Sequence, residues 1–258
     1  MSTRRLLCVL AHPDDESLGT GGTLAKYATD GVETYVITAT RGERGRFGDN
    51  VDRPATEIVG ATREAELRAA AAELGVREVT VLGYPDGGVD GVDPSTAQEA
   101  IAAHIRRIQP QVVITFGPEG AYGHPDHVAV SQLTTAAVVR AAVSWPVAKL
   151  YYIAWTAGKW AAYEAALKKL TSTVDGILRQ VIPTPDWGIS ARIDTRDVCT
   201  TVWRAVQHHQ TQMSVYRSLG DLSADDHRAL WGHQEFYRAF STVNGSRACE
   251  FDLFEGLA

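Results

Sequence analysis

In the N-terminal half, short apolar runs at 6–11, 33–40, 78–83 and 111–117 alternate with stretches of helical character at 22–29, 54–74 and 94–108. That alternation is a βαβ rhythm. Runs such as Leu6-Leu7-Cys8-Val9-Leu10 and Val112-Val113-Ile114 are apolar without interruption, so both faces of those strands must be covered. The expected fold is α/β: a Rossmann-like, mostly parallel sheet with helices on both faces. Gly75 is expected to stop the second helix. A further helix is expected over 128–143, broken by Trp145-Pro146, with a strand at 149–155. Beyond that, 159–170 and 196–219 look helical, and 221–258 mixes charge and aromatics. The sequence therefore predicts one domain over 1–258, with a core of about 4–155 and a C-terminal helical or mixed extension over about 156–258.

The balance of charge narrows the partners. A formal net charge of −6 and a pI near 5.7 leave no broad basic footprint, so nucleic acid is not an expected partner. Cys8, Cys199 and Cys249 are odd in number, far apart and without CxxC spacing, which favours a reducing compartment over a disulfide framework. The apolar run at the start meets His12, Asp14, Asp15 and Glu16 too soon for a signal peptide. No run of ~18 apolar residues offers a membrane span. The expectation is a cytoplasmic protein, with homo-oligomerisation left open.

Two clusters carry the chemistry. Ala11-His12-Pro13-Asp14-Asp15-Glu16 follows the first strand and precedes Gly19-Thr20-Gly21-Gly22, which reads as a glycine-rich turn; Tyr122-Gly123-His124-Pro125-Asp126-His127 follows the fourth strand. Both should emerge at the carboxyl edge of the sheet, where open α/β folds bind ligands. His-Pro-Asp occurs in each, in a chain with only eight histidines and ten prolines. Two imidazoles and one carboxylate form a facial set suited to Zn2+ with a position left for water. A second carboxylate could take a proton from that water, and His124 beside Asp126 could stay protonated to stabilise an oxyanion and protonate a leaving nitrogen. Spacing does not decide between Asp14 and Asp15 as ligand, nor between His124 and His127. The glycine run lacks GxGxxG spacing, which argues against a dinucleotide site.

The pair of clusters resembles the LmbE/PIG-L family of zinc-dependent de-N-acetylases, over about 5–142. The resemblance implies His12, Asp15 and His127 as metal ligands, with Zn2+ the expected ion and Fe2+ its alternative. It implies Asp14 as general base, His124 as acid and oxyanion partner, Asp126 as the residue orienting His124, and Tyr122 as a carbonyl-polarising tyrosine. Arg63 matches an arginine that contacts substrate in mycothiol-pathway relatives, although an arginine among glutamates on a helix is often a solvated ion-pairing face. Asp86 is a second substrate-binding candidate at the sheet edge. In the loop 41–48, Arg46 stands where those relatives often carry an acid, a departure at a place expected to set substrate choice. His209, in His209-Gln210-Thr211-Gln212, is expected to be packed or capping rather than a fourth ligand. Trp203, Trp231, Phe236, Tyr237 and Phe240, at roughly helical spacing, are expected in the core. The implied activity is removal of an N-acetyl group from a small N-acetylglucosamine-type conjugate; the alternatives are cleavage of another amide in an amino-sugar thiol conjugate, or a non-catalytic metal- or sugar-binding module.

Overall fold

The computed structural model describes residues 3–49, 53–167, 172–174, 176–243 and 249–257. Five parallel strands and the helices between them come first: β1 (Arg5–Leu10), α1 (Asp15–Thr29), β2 (Glu33–Thr40), α2 (Thr56–Glu73), β3 (Glu78–Tyr84), α3 (Pro94–Ile108), β4 (Val112–Phe116), the single turn α4 (Gly120–Gly123), α5 (Pro125–Ala141) and β5 (Lys149–Ala154). Then follow α6 (Ala157–Leu167), the hairpin β6 (Ser172–Val174) and β7 (Ile177–Arg179), β8 (Ala191–Asp194), α7 (Cys199–His208), α8 (Met213–Tyr216), α9 (Ala224–Trp231) and β9 (His233–Ser241).

The main sheet has the order β3-β2-β1-β4-β5-β9-β8. β1 is an interior strand between β2 and β4, and its side chains from Leu6 to Leu10 are almost wholly buried. That is why its sequence shows no polar alternation. Helices α3 and α5 pack together on one face, and α1, α2 and α7 on the other. The expected α/β architecture and the strand and helix order through β5 stand. As expected, α2 stops at Gly75, whose φ is 74°. This left-handed backbone lets the Val76 amide donate to the Ala71 carbonyl.

Two expectations are corrected and a third is met as far as it can be followed. Gly19-Thr20-Gly21-Gly22 is not a turn but lies inside α1, which begins at Asp15. A Cβ on Gly22 would lie 2.8 Å from the Thr195 Cβ, so the glycine permits close packing rather than a bend. The continuous helix expected over 196–219 is interrupted at His209, whose ψ of 61° leaves the helical region so that its side chain can turn into the core. The helix expected over 159–170 is α6 up to Leu167, and 168–170 lie outside the described residues.

The C-terminal part also contributes β8 and β9 to the main sheet, β9 running antiparallel between β5 and β8. Phe236, Tyr237 and Phe240 therefore lie along a strand, not a helix. Trp231 and Phe236 are fully buried, whereas Tyr237 is 44% exposed. On β5, Lys149 is completely buried; its ammonium donates to Glu250 Oε1 at 2.8 Å and to the Glu255 carbonyl, both supplied by the C-terminal segment.

Candidate metal centre and active site

The first cluster folds as the junction between β1 and α1. Asp14 occupies the position before the helix with φ 111° and ψ −24°, a left-handed backbone costly for a residue with a side chain. Glu16 supports it: its Oε2 accepts the Asp14 amide at 2.9 Å. Asp15 turns back, its Oδ2 accepting the amides of Ala11 and His12 at 3.2 and 2.7 Å. That leaves its Oδ1 directed at the ring of His127, 3.7 Å away.

The second cluster folds as the start of α5. His124 is the cap residue, its Nδ1 accepting from the Asp126 amide at 3.2 Å, and Pro125 takes the first helical position, where a missing N–H costs nothing. His127 then points from the first turn toward β1, with its ring stacked on Phe116 at 4.0 Å between centroids.

The two junctions meet. His12 Nδ1 and His127 Nε2 face each other at 3.2 Å, and Asp15 lies 3.7 Å from each ring through its two oxygens. These three residues offer ligand atoms that are all within 4.8 Å of one another. The opposite nitrogen of His12, Nε2, is 3.0 Å from Asp126 Oδ2 and 3.3 Å from Asp86 Oδ1. A proton held there leaves a lone pair on Nδ1, the arrangement expected of a metal-binding imidazole. His12, His124 and Asp126 also lie close enough for an ion. The first set is the better cradle, because both Asp126 oxygens already accept backbone amides, from Gly87 at 2.7 Å and Val89 at 3.0 Å.

Electrostatics agree with a cation-favouring centre. Burial depresses His12, but hydrogen bonds to Asp126 and Asp86 and the nearby carboxylate charge outweigh it and hold His12 at about 10. Burial raises Asp15 to about 7 against the opposing charge of His12, with Asp14 adding to the rise. Burial and the His12 charge hold His127 well below its ordinary value. Asp86 is held at about 2, its burial overcome by the His12 contact and the Arg44 amide.

The expectation that Asp126 orients His124 is corrected. The Asp126 carboxylate is engaged by His12 and two backbone amides, and it meets His124 through its main chain. His124 consequently lacks a dedicated acid, and burial together with the His12 charge holds it down at about 4.

Arg63 is not a solvated residue. It is 4% exposed and donates to the carbonyls of Gly42 and Pro13 and to Asp14 Oδ2, the last at 3.2 Å. Tyr216, which no motif marks, donates to the same Asp14 oxygen at 2.8 Å. His209 is fully buried, and its Nε2 lies 2.7 Å from Glu16 Oε1, which places it behind the cluster as a packed partner. Tyr122 packs edge-on against His124 and His127. A cavity of about 540 Å³ opens over this floor; it is lined by all the sequence-predicted residues except Asp126, and also by Arg44, Arg46, Gln212 and Tyr216. Its size suits a small ligand such as a glycoside.

Residues 7–138 match the family model described as PIG-L, GlcNAc-PI de-N-acetylase. A 1D-myo-inositol 2-acetamido-2-deoxy-alpha-D-glucopyranoside deacetylase of Rhodococcus opacus (strain B4) is 36% identical, across 100% of this chain and 99% of its own length. One of the same description from Mycobacteroides abscessus is 40% identical, across 83% of this chain and 84% of its own. Among solved structures, a conserved protein of Thermus thermophilus superposes with a TM-score of 0.66 at 26% identity, covering 94% of this chain and 99% of that one. N,N'-diacetylchitobiose deacetylase from Pyrococcus horikoshii shares the fold with a TM-score of 0.66 at 18% identity, over 92% and 84% of the two chains. With its two histidine-acid junctions meeting at one sheet edge, this chain belongs to the PIG-L family of de-N-acetylases.

Proposed function

We propose that this chain, a hydrolytic N-deacetylase by family, removes the acetyl group from an N-acetylglucosamine conjugate with a zinc ion held by His12, Asp15 and His127. One observation carries the reading: three metal-competent ligand atoms cluster on a cavity floor that Asp14 also lines without belonging to the set. When bound, such an ion supplies an acidified water, with a pKa lowered towards about 7, and polarises the amide carbonyl. Iron(II) would fit the same donors.

The chain's own groups divide the proton work. Arg63 and Tyr216 hold Asp14 Oδ2, which leaves Oδ1 to accept the proton of the attacking water. His124 takes the Asp126 amide on Nδ1, so its Nε2–H is presented as a hydrogen-bond donor to the oxygen that gains charge, while the proton Asp14 has taken from the water is the one passed on to the departing nitrogen. Tyr122 is raised above its ordinary value by burial and the surrounding carboxylates, and so remains a hydroxyl donor beside His124. Asp86 and Asp126 fix the His12 ring from behind, and Asp86 also reaches the cavity, where substrate can meet it.

The chain is read as one domain because β9 completes the sheet begun by β1 to β5. Three free cysteines favour a reducing, cytoplasmic setting, and among the described residues no helix is long and apolar enough to cross a membrane. The relatives' N-acetylglucosaminyl inositol is the first substrate to test. Metal-loaded protein should release primary amine from it, measured with fluorescamine, and His127→Ala should lose both metal and activity. Equal amine release by metal-stripped protein, or a full metal complement in His127→Ala, refutes the assignment.

A further inference from the structure

The turn that carries Tyr122 and His124 into the cavity is an unfavourable one for a chain to hold. Gly120, Ala121 and Gly123 all have positive φ, of 64°, 63° and 80°. At Ala121, φ 63° with ψ −82° is the strained form of a γ-turn, which a residue with a Cβ adopts only where its surroundings enforce it. The bond that closes the turn, from the His124 amide to the Gly120 carbonyl, is long at 3.4 Å. The ring of His124 takes the Asp126 amide, which comes from the same stretch of chain. Where that ring points therefore depends on what fixes the backbone of 120–124 from outside.

Arg179 supplies such a fixture from 56 positions farther along: its Nη1 donates to the Gly123 carbonyl at 2.7 Å. That oxygen belongs to the planar peptide joining Gly123 to His124, so holding it sets the plane from which the His124 Cα departs. The bond is charge-assisted, and it offsets the burial of the Arg179 Nε, which has no hydrogen-bond partner among the described residues.

The arm that carries Arg179 is anchored separately. β7 pairs with β6 in antiparallel register, with Arg179 opposite Ser172. Farther on, the Thr184 amide donates at 2.7 Å to the carbonyl of Trp155, just beyond β5. Ile177 and Leu178 are 56% and 60% exposed, so burial of their side chains is not what brings β7 to the turn. Arg179 itself lines not the catalytic cavity but a neighbouring cleft of about 390 Å³, shared with Gly123, Val128 and Gln132.

We propose that Arg179 is a positioning residue that clamps the Gly123–His124 peptide and thereby aims the Nε2–H of His124 at the oxygen that gains charge. This inference rests on the deacetylase reading above and adds to it a residue outside both histidine-acid clusters. Because Arg179 does not reach the cavity, its loss falls on the transition state and leaves the binding of substrate alone.

The test uses the metal-loaded full chain with N-acetylglucosaminyl inositol. Arg179→Ala should lower kcat about 10–100-fold, as misplacement of a catalytic donor does, with KM within about twofold and metal content unchanged. Arg179→Lys, which keeps a cationic donor, should recover part of the loss. Millimolar guanidinium should do the same for Arg179→Ala by entering the cleft that the side chain leaves. Leu178→Ala, on the same strand, should match wild type in kcat. A second readout needs no turnover: with histidine labelled by heavy nitrogen, the His124 amide resonance, assigned by its loss in His124→Gln, should shift in Arg179→Ala while that of His227 stays in place. Should Arg179→Ala fail to fold, Arg179→Gln carries the same comparison with a smaller loss. An unchanged kcat, a loss expressed in KM alone, a loss that neither lysine nor guanidinium relieves, or an unmoved His124 resonance overturns the clamp. No amine from wild type overturns the deacetylase reading instead, and the resonance then decides the clamp by itself.

Discussion

Replacing His209 by alanine isolates the buried pair that stands behind the catalytic floor. Glu16 and His209 are both fully buried, and their contact of 2.7 Å is the only opposite charge that Glu16 meets directly among the described residues. Without the imidazole, Glu16 keeps Ser17 Oγ and the Asp14 amide as donors but loses its countercharge. Removing one member of a buried pair costs about 3–5 kcal/mol. At about 2–4 °C per kcal/mol for a chain of this size, the melting temperature should fall by roughly 6–20 °C.

The pH dependence has a definite sign. Burial opposes protonation of His209, but Glu16 outweighs it and raises the ring above its ordinary value. Its contribution is therefore complete below the unfolded value near about 6.5 and fades as pH rises through the folded value. Glu16 is lowered, its burial overcome by His209, so its contribution is complete above about 4.3 and is lost as pH falls through its folded value. Calorimetric melts should show the widest gap between wild type and His209→Ala at about pH 5–6, narrowing on the alkaline side. His209→Gln, which keeps a donor, should recover part of the loss. A gap below about 2 °C, or one that widens with pH, refutes the pairing argument.

Asp14→Asn should retain metal but lower kcat by about 10²–10⁴, the usual contribution of a general base, in a steady-state amine-release assay. Asp126→Asn places an amide where two backbone N–H groups and His12 now donate, and should weaken metal affinity about 10–100-fold in a competition titration. Gly22→Ala brings a methyl against Thr195 and should cost about 1–3 kcal/mol in chemical unfolding.

The floor of the site was legible because it is local. Each histidine-acid cluster sits within one strand-to-helix junction, and the apolar strands on either side fix which edge it faces. What surrounds the floor was not legible for the converse reason. Tyr216 reaches Asp14 across 202 positions, and His209 reaches Glu16 across 193, so neither contact has a spacing to read. Arg63 sits among glutamates on a helix, and only the packing of the loop around Gly42 and Gly45 shows that it is enclosed. Asp126 was misread because its neighbour in sequence, His124, is not the partner of its carboxylate in space. The glycine run in α1 carried the same ambiguity, since glycine serves bends and close contacts alike.

Lys149 makes the sheet depend on a segment that lies about a hundred positions farther along the chain. Its ammonium is wholly enclosed and donates to Glu250 and to the Glu255 carbonyl. Removing the residues from 249 onward would strand that cation without these acceptors, so the stretch after β9 serves as a counterweight to β5 rather than as a loose tail.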